Sequence, residues 1–142
     1  MPKRIPSELL RLAKIQLEYL RGMRVLTGVE NAVAVFGSAR FAQNHPFAEL
    51  AFELGTALGR AGCTVITGGG PGLMEAASRG ARACGGKTIG LNILLPHEQR
   101  PNRYLGRWET FEFFFLRKQM FLRRARAAFF LPGGLGTLDE LA

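Results

Sequence analysis

Five short apolar runs, separated by stretches of helical periodicity, constrain the fold of this chain more than any other feature. They are AVAVFGSAR (residues 32–40), CTVIT (63–67), KTIGLNILL (87–95), ETFEFFF (109–115) and AFFLP (128–132). A strand with one wet face alternates apolar with polar residues, whereas a nearly continuous apolar run marks a strand covered on both faces. Between the first two runs, residues 46–60 carry Phe47, Leu50, Ala51, Leu54 and Leu58 on one helical face, with Pro46 suited to the first turn. Residues 73–84 and 116–127 also read as helices, and 96–108, with two prolines and no periodicity, as a loop. Residues 7–22 set Leu9, Leu12, Ala13, Leu17 and Leu20 at helical spacing, so an N-terminal amphipathic helix is expected to dock that stripe, on its own sheet or on a second copy. Regular alternation of strand and helix predicts an α/β fold: a doubly wound parallel sheet with helices on both faces, as one domain over residues 1–142.

The 47% hydrophobic content supplies a core, and 21% charged residues fit a soluble globular protein. The net charge of +8 admits nucleic acid, a membrane surface or small phosphate-bearing ligands, or simply a solvated basic surface. The basic residues are scattered rather than interleaved with aromatics, which ranks nucleic acid last. Cys63 and Cys84 stand 21 residues apart with no CxxC pair, so no metal site is expected and reduced, cytosolic thiols fit best. No run of about 18 apolar residues spans a membrane, and MPKRIPSELLRL lacks the apolar core of a signal peptide. The expected location is cytoplasmic.

Three of the five runs end in glycine: FGS, TGGGPG and LPGGLGT. Glycine lets backbone N–H groups approach a ligand without an intervening Cβ, and the following helix start adds a positive dipole end. Such turns at the carboxyl ends of parallel strands predict a phosphate site, although one glycine turn alone is only a tight turn. Spelling excludes two familiar phosphate motifs. GxGxxG fails because Glu75 and Asp139 stand where the last glycine should be, and the P-loop fails because Ala81 precedes Gly86-Lys87-Thr88. Thr137 and Glu140 fit a helix capping box, so spacing alone does not make Glu140 catalytic. A carboxylate beside a phosphate cradle makes chemical sense if it faces developing positive charge or activates water. Arg117, at the end of the fourth run, is either a fork for phosphate or carboxylate or a solvated helix charge.

With GGGPGLMEAASRGA, VFGSAR and FFLRKQMFLRRARAAFFLPGGLGTLDEL together, the sequence resembles the LOG ("Lonely Guy") family of cytokinin riboside 5′-monophosphate phosphoribohydrolases. PGGxGTxxE is intact from Pro132 to Glu140, and an Arg-Lys pair begins 15 residues before that proline. The resemblance implies a Rossmann-like homodimer that hydrolyses the N-glycosidic bond of AMP or N6-modified AMP to free base and ribose 5-phosphate, without a cofactor. By position, Arg117 and Glu140 would be the catalytic pair, Gly133, Gly134, Gly136 and Thr137 would hold phosphate, and Lys118 would line the nucleotide site. Gly69, Gly70 and Gly72 of the second turn and Ser38 of the first complete the expected binding set. Glu75 reads as a first-turn helix acid favoured by the dipole. The "lysine decarboxylase" label sometimes attached to such proteins finds no support, because nothing marks Lys87 or Lys118 as a Schiff-base lysine. RKQM and LPHEQRPN resemble the longer bacterial branch and leave the N6 substituent open. Family members continue past TxxE, so the resemblance implies a sheet incomplete at its C-terminal edge. Against the enzyme stands a non-catalytic nucleotide or phosphate-cofactor binder on the same fold.

Overall fold

The computed structural model describes residues 6–95 and 100–133. Its elements are α1 (Ser7–Val25), β1 (Ala32–Phe36), α2 (Pro46–Arg60), β2 (Thr64–Thr67), α3 (Leu73–Ala83), β3 (Thr88–Ile93), β4 (Arg107–Phe111), α4 (Phe114–Arg124) and β5 (Ala125–Phe130). The strands form one parallel sheet in the order β4-β3-β2-β1-β5. Strand order moves outward from β1 to β4, then returns to place β5 on the other side of β1. The expected α/β architecture is therefore what the chain forms.

Period-two alternation splits the sheet into two cores. Ala32, Ala34, Phe36, Ile66, Ile89, Leu91 and Phe111 face α1 and α4, together with Leu116, Met120 and Phe121. Val35 and Val65 face α2 and α3, packed with Ala48, Ala51, Leu73, Ala76, Ala77 and Ala81. The second layer is built of small residues, and its helices lie unusually close. A Cβ on Gly55 would stand 2.0 Å from the Ala77 carbonyl oxygen, and one on Gly80 would stand 2.2 Å from that of Phe52. Backbone rather than a movable side chain blocks both positions. Gly55→Ala is therefore expected to destabilise the fold by about 1–3 kcal/mol by overpacking, read as a lower urea midpoint at unchanged slope.

Several boundaries depart from the sequence reading, and the departures share a cause. β4 starts at Arg107 and ends at Phe111, rather than running from 109 to 115. β5 starts at Ala125 rather than 128, and α4 runs over 114–124 rather than 116–127. Among the described residues both strands are sheet edges, β5 largely exposed and β4 exposed at its start, so polar Arg107, Glu109 and Arg126 are tolerated and the apolar-run criterion misplaces their starts. α1 departs more deeply. Of the two places where the stripe could dock, a second copy or the chain's own sheet, the sheet is not used: Leu9, Leu12, Leu17 and Leu20 are each more than half accessible. The buried face is instead Glu18, Gly22 and Val25, flanked by Ile15, Tyr19 and Met23. Gly22 permits this orientation, since a Cβ there would meet Phe111 at 3.0 Å and Met120 at 3.1 Å.

Candidate functional site

Because all five strands run in parallel, their carboxyl ends share one edge, and strand order reverses between β1 and β5, the kind of switch point beside which open α/β sheets bind ligands. The residue that joins the turns there is Ser38. Its N–H donates to the Pro132 carbonyl of the turn after β5 at 3.1 Å, and its own carbonyl accepts from Leu73 N–H at 2.9 Å at the start of α3. Its side-chain oxygen accepts from Arg40 N–H at 3.1 Å, a local turn that fixes the loop after β1. The loop after β1 is thus tied through one serine backbone, itself only 9% exposed, to the end of the second glycine turn at Leu73 and to Pro132 just before Gly133.

The second turn, residues 68–72, is held on every side. Gly69 has φ +77° and donates its N–H to Thr67 Oγ1 at 3.0 Å. Asn102 clamps it from the loop before β4: its N–H donates to the Gly69 carbonyl at 2.9 Å and its Nδ2 to the Gly70 carbonyl at 3.0 Å. Asn102 Oδ1 accepts from Tyr104 N–H at 3.0 Å, so the asparagine is itself locked in an Asx turn. Gln43 Nε2 donates to the Gly72 carbonyl at 3.0 Å. Beneath the turn lies Asn92, at the end of β3. It is 4% exposed, and its Oδ1 has no hydrogen-bond partner among the described residues. With carbonyls 69, 70 and 72 tied back, the turn is a rigid scaffold rather than a loose loop, the condition under which backbone amides bind an anion well.

Arg117 lies in the first turns of α4, buried to 9% exposure. Its Nε donates to the Leu91 carbonyl at 2.6 Å, at the end of β3. A Cβ on Gly68 would stand 2.5 Å from its Nη2, so the guanidinium lies against the glycine turn. Phe121 flanks it, with its ring centroid 5.4 Å from Cζ. The solvated-charge alternative for Arg117 is thereby removed. Lys118, one residue on and about 100° round the helix, takes another direction. It lines a groove of about 270 Å³ beside β5, with Phe36, Phe121 and Phe130 among its walls.

The structure therefore gathers Ser38, Gly69, Gly70, Gly72 and Arg117 at one edge, with exposed Gly133 on the adjoining turn. Lys118 lines the neighbouring groove. Gly134, Gly136, Thr137 and Glu140 lie outside the described residues. Sequence reasoning missed Asn92, Asn102, Thr67 and Gln43. Only the Pro-Asn pair at 101–102 hinted at a fixed turn. Glu75, half-buried in the first turn of α3, sits where a helix acid is favoured.

A cytokinin riboside 5′-monophosphate phosphoribohydrolase of Mycobacterium marinum is 41% identical over 112 residues, covering 77% of this chain and 59% of that protein. The protein of that name from Mycobacterium tuberculosis is 39% identical over 95 residues, covering 66% and 51%. The chain thus spans little more than half the length of these curated relatives. Among solved structures, a structural-genomics target superposes with a TM-score of 0.65 at 33% identity, covering 78% of this chain and 66% of that one. A molybdenum cofactor binding protein from Rippkaea orientalis superposes at 0.66 with 26% identity, covering 81% and 70%. The model of the SLOG cluster4 family matches residues 30–142, which takes in every strand, the three glycine turns and the Arg-Lys helix, and the chain belongs to that LOG-type family.

Proposed function

We infer that this chain carries the nucleotide site of a phosphoribohydrolase that cleaves adenosine-type 5′-monophosphates. The observation that carries the reading is the tie of the loop after β1 to Leu73 and Pro132 through Ser38, with Arg117 laid against Gly68. On this reading the turns anchor the 5′-phosphate, with Gly69, Gly70, Gly72, Gly133, Gly134, Gly136, Thr137 and Ser38 forming the cradle; the N–H groups of Gly69 and Ser38 are spent on Thr67 Oγ1 and the Pro132 carbonyl, so these two shape the cradle and other amides bind the anion. Glu140 faces the anomeric carbon, Arg117 orients that carboxylate or the phosphate, and Lys118 lines the nucleotide's flank. The C1′–N bond breaks through an oxocarbenium-like state. Water adds its oxygen to C1′, and its protons end on the departing base and the new hydroxyl. The fixed carboxylate stabilises the cationic carbon, and phosphate binding remote from it restrains the ribose.

The relatives' printed activity and the family match support this reading. A homodimer fits it, with the exposed leucines of α1 as contact face. A cytoplasmic setting fits the two free cysteines and the absence, among the described residues, of any helix long and apolar enough to cross a membrane.

A second reading follows from the likeness to molybdenum cofactor binding and carrier proteins: saturable binding of a phosphate-bearing ligand without turnover. One experiment separates the two. Incubated with AMP, the chain is expected to release adenine and ribose 5-phosphate, and with unphosphorylated adenosine to release nothing. AMP binding by calorimetry with no adenine formed would replace the enzyme by the binder.

A further inference from the structure

Glu18 is the one acidic side chain buried in the described part of the molecule, at 2% exposure, and it belongs to α1, before the residues that the family model matches. Burying a carboxylate is costly unless charge-assisted hydrogen bonds satisfy it. Here they do: Oε1 accepts from Glu112 N–H, and Oε2 accepts from Phe113 N–H at 3.2 Å. These two residues form the turn between β4 and α4, and Phe113 is the N-cap of α4 without a side-chain cap of its own. The positive end of the α4 dipole lies beside the carboxylate. Phe113 then carries the connection onward, because its carbonyl accepts the N–H of Arg117 at 3.2 Å. α1 is itself fixed against this region. Arg107 donates to the Thr27 carbonyl at 2.8 Å just beyond the end of α1, and Arg123 donates to the Tyr19 hydroxyl at 3.0 Å.

We propose that Glu18 is a positioning residue for the nucleotide site: by anchoring the entry of α4 it sets where Arg117 meets Leu91 and the glycine turn. Packing alone would have been served by a leucine in that place. Two backbone donors converging on one point need an acceptor at both ends, and a carboxylate is acceptor on both oxygens. Glutamine keeps the shape but turns one NH₂ donor toward a backbone N–H, which frees one side of the anchor. The inference deepens the phosphoribohydrolase reading and rests on it for its catalytic consequence, but its structural half stands apart.

The test uses the full chain with Glu18→Gln, Glu18→Ala, Arg117→Ala and the double variants. In ¹H–¹⁵N spectra the Arg117 Nε–H, bonded to Leu91, is expected to exchange about tenfold faster when Glu18 is changed, the factor that about 1.4 kcal/mol of weakened anchoring produces. For AMP cleavage, kcat/KM is expected to fall about tenfold in Glu18→Gln, and not to fall further when Glu18→Gln is added to Arg117→Ala. An Arg117 signal unmoved in a folded Glu18→Gln protein overturns the proposal, as do additive losses in the double variant. Glu18→Gln preserves side-chain volume, so it decides the matter should Glu18→Ala fail to fold. A wild-type chain that releases no adenine sinks the enzymatic reading alone, because the Nε–H exchange still reports whether Glu18 governs Arg117.

Discussion

Arg117→Ala is expected to slow release of adenine from AMP by about 100- to 1,000-fold, the loss typical of removing one preorganised donor from a site of developing charge. The reasoning starts from the guanidinium's fixed pose. One nitrogen is committed to the Leu91 carbonyl at 2.6 Å, a ring flanks the group, and Nη2 lies against the glycine turn. A side chain held this way loses no freedom when substrate arrives, so its full electrostatic effect is available to the reaction. Arg117→Lys is expected to restore only a minor part, because a single ammonium cannot hold the carbonyl and present a planar fork at once. Glu140→Gln is expected to be no milder, since it removes the only charge proposed to face the oxocarbenium carbon, while calorimetric AMP affinity stays within about threefold because the phosphate is proposed to be held by other residues. Adenine release followed by chromatography, beside the calorimetry, checks both substitutions. Turnover of Glu140→Gln at the wild-type rate removes the carboxylate from the mechanism.

What the sequence discloses about this molecule depends on where each residue's partners lie. β1, β2 and β3 are interior strands covered on both faces, so apolarity alone marks them, and the glycine ends of β1 and β2 announce the edge at which a ligand would bind. α2 is legible from its face and from Pro46, and its bounds are those expected. Edge strands obey a weaker rule, which is why the starts of β4 and β5 were displaced by two and three residues and the end of β4 by four. The orientation of α1 was illegible for a sharper reason: its buried face is organised around an acid, and hydrophobic periodicity assigns an acid to water. The clamp on the glycine turn was hidden likewise. Asn102 reaches carbonyls 32 and 33 residues away, and a hydrogen bond to backbone leaves no trace in the residue types at the other end. Arg117 stood between these cases. Its position after a strand placed it at the correct edge, but only the Leu91 and Gly68 contacts decide between a buried fork and a surface charge.

Gly69→Ala is expected to be severely damaging to the site, and its cost divides into two measurable parts. The first is conformational: φ is +77°, and a Cβ there costs roughly 1–2 kcal/mol. The second is steric, because that Cβ would stand 2.0 Å from Asn92 Oδ1, in a pocket where Asn92 is itself buried. Forcing the amide aside adds about 1–3 kcal/mol, so the sum removes a large share of the roughly 5–15 kcal/mol that holds a domain together. Gly28 supplies the control, with φ +75° and nothing within 4 Å of its added Cβ. Gly28→Ala is therefore expected to show the first part without the second. Removing the obstacle should recover the difference: Gly69→Ala combined with Asn92→Ala is expected to unfold at nearly the urea concentration of Gly28→Ala, since Asn92 Oδ1 has no partner among the described residues to lose. AMP affinity should not return with stability, because the displaced φ still turns the 69–70 peptide, and with it the Gly70 N–H, away from the position that Asn102 enforces. Equal urea midpoints for Gly69→Ala and Gly28→Ala would show that the turn yields freely, and a yielding turn is no preorganised cradle for a phosphate.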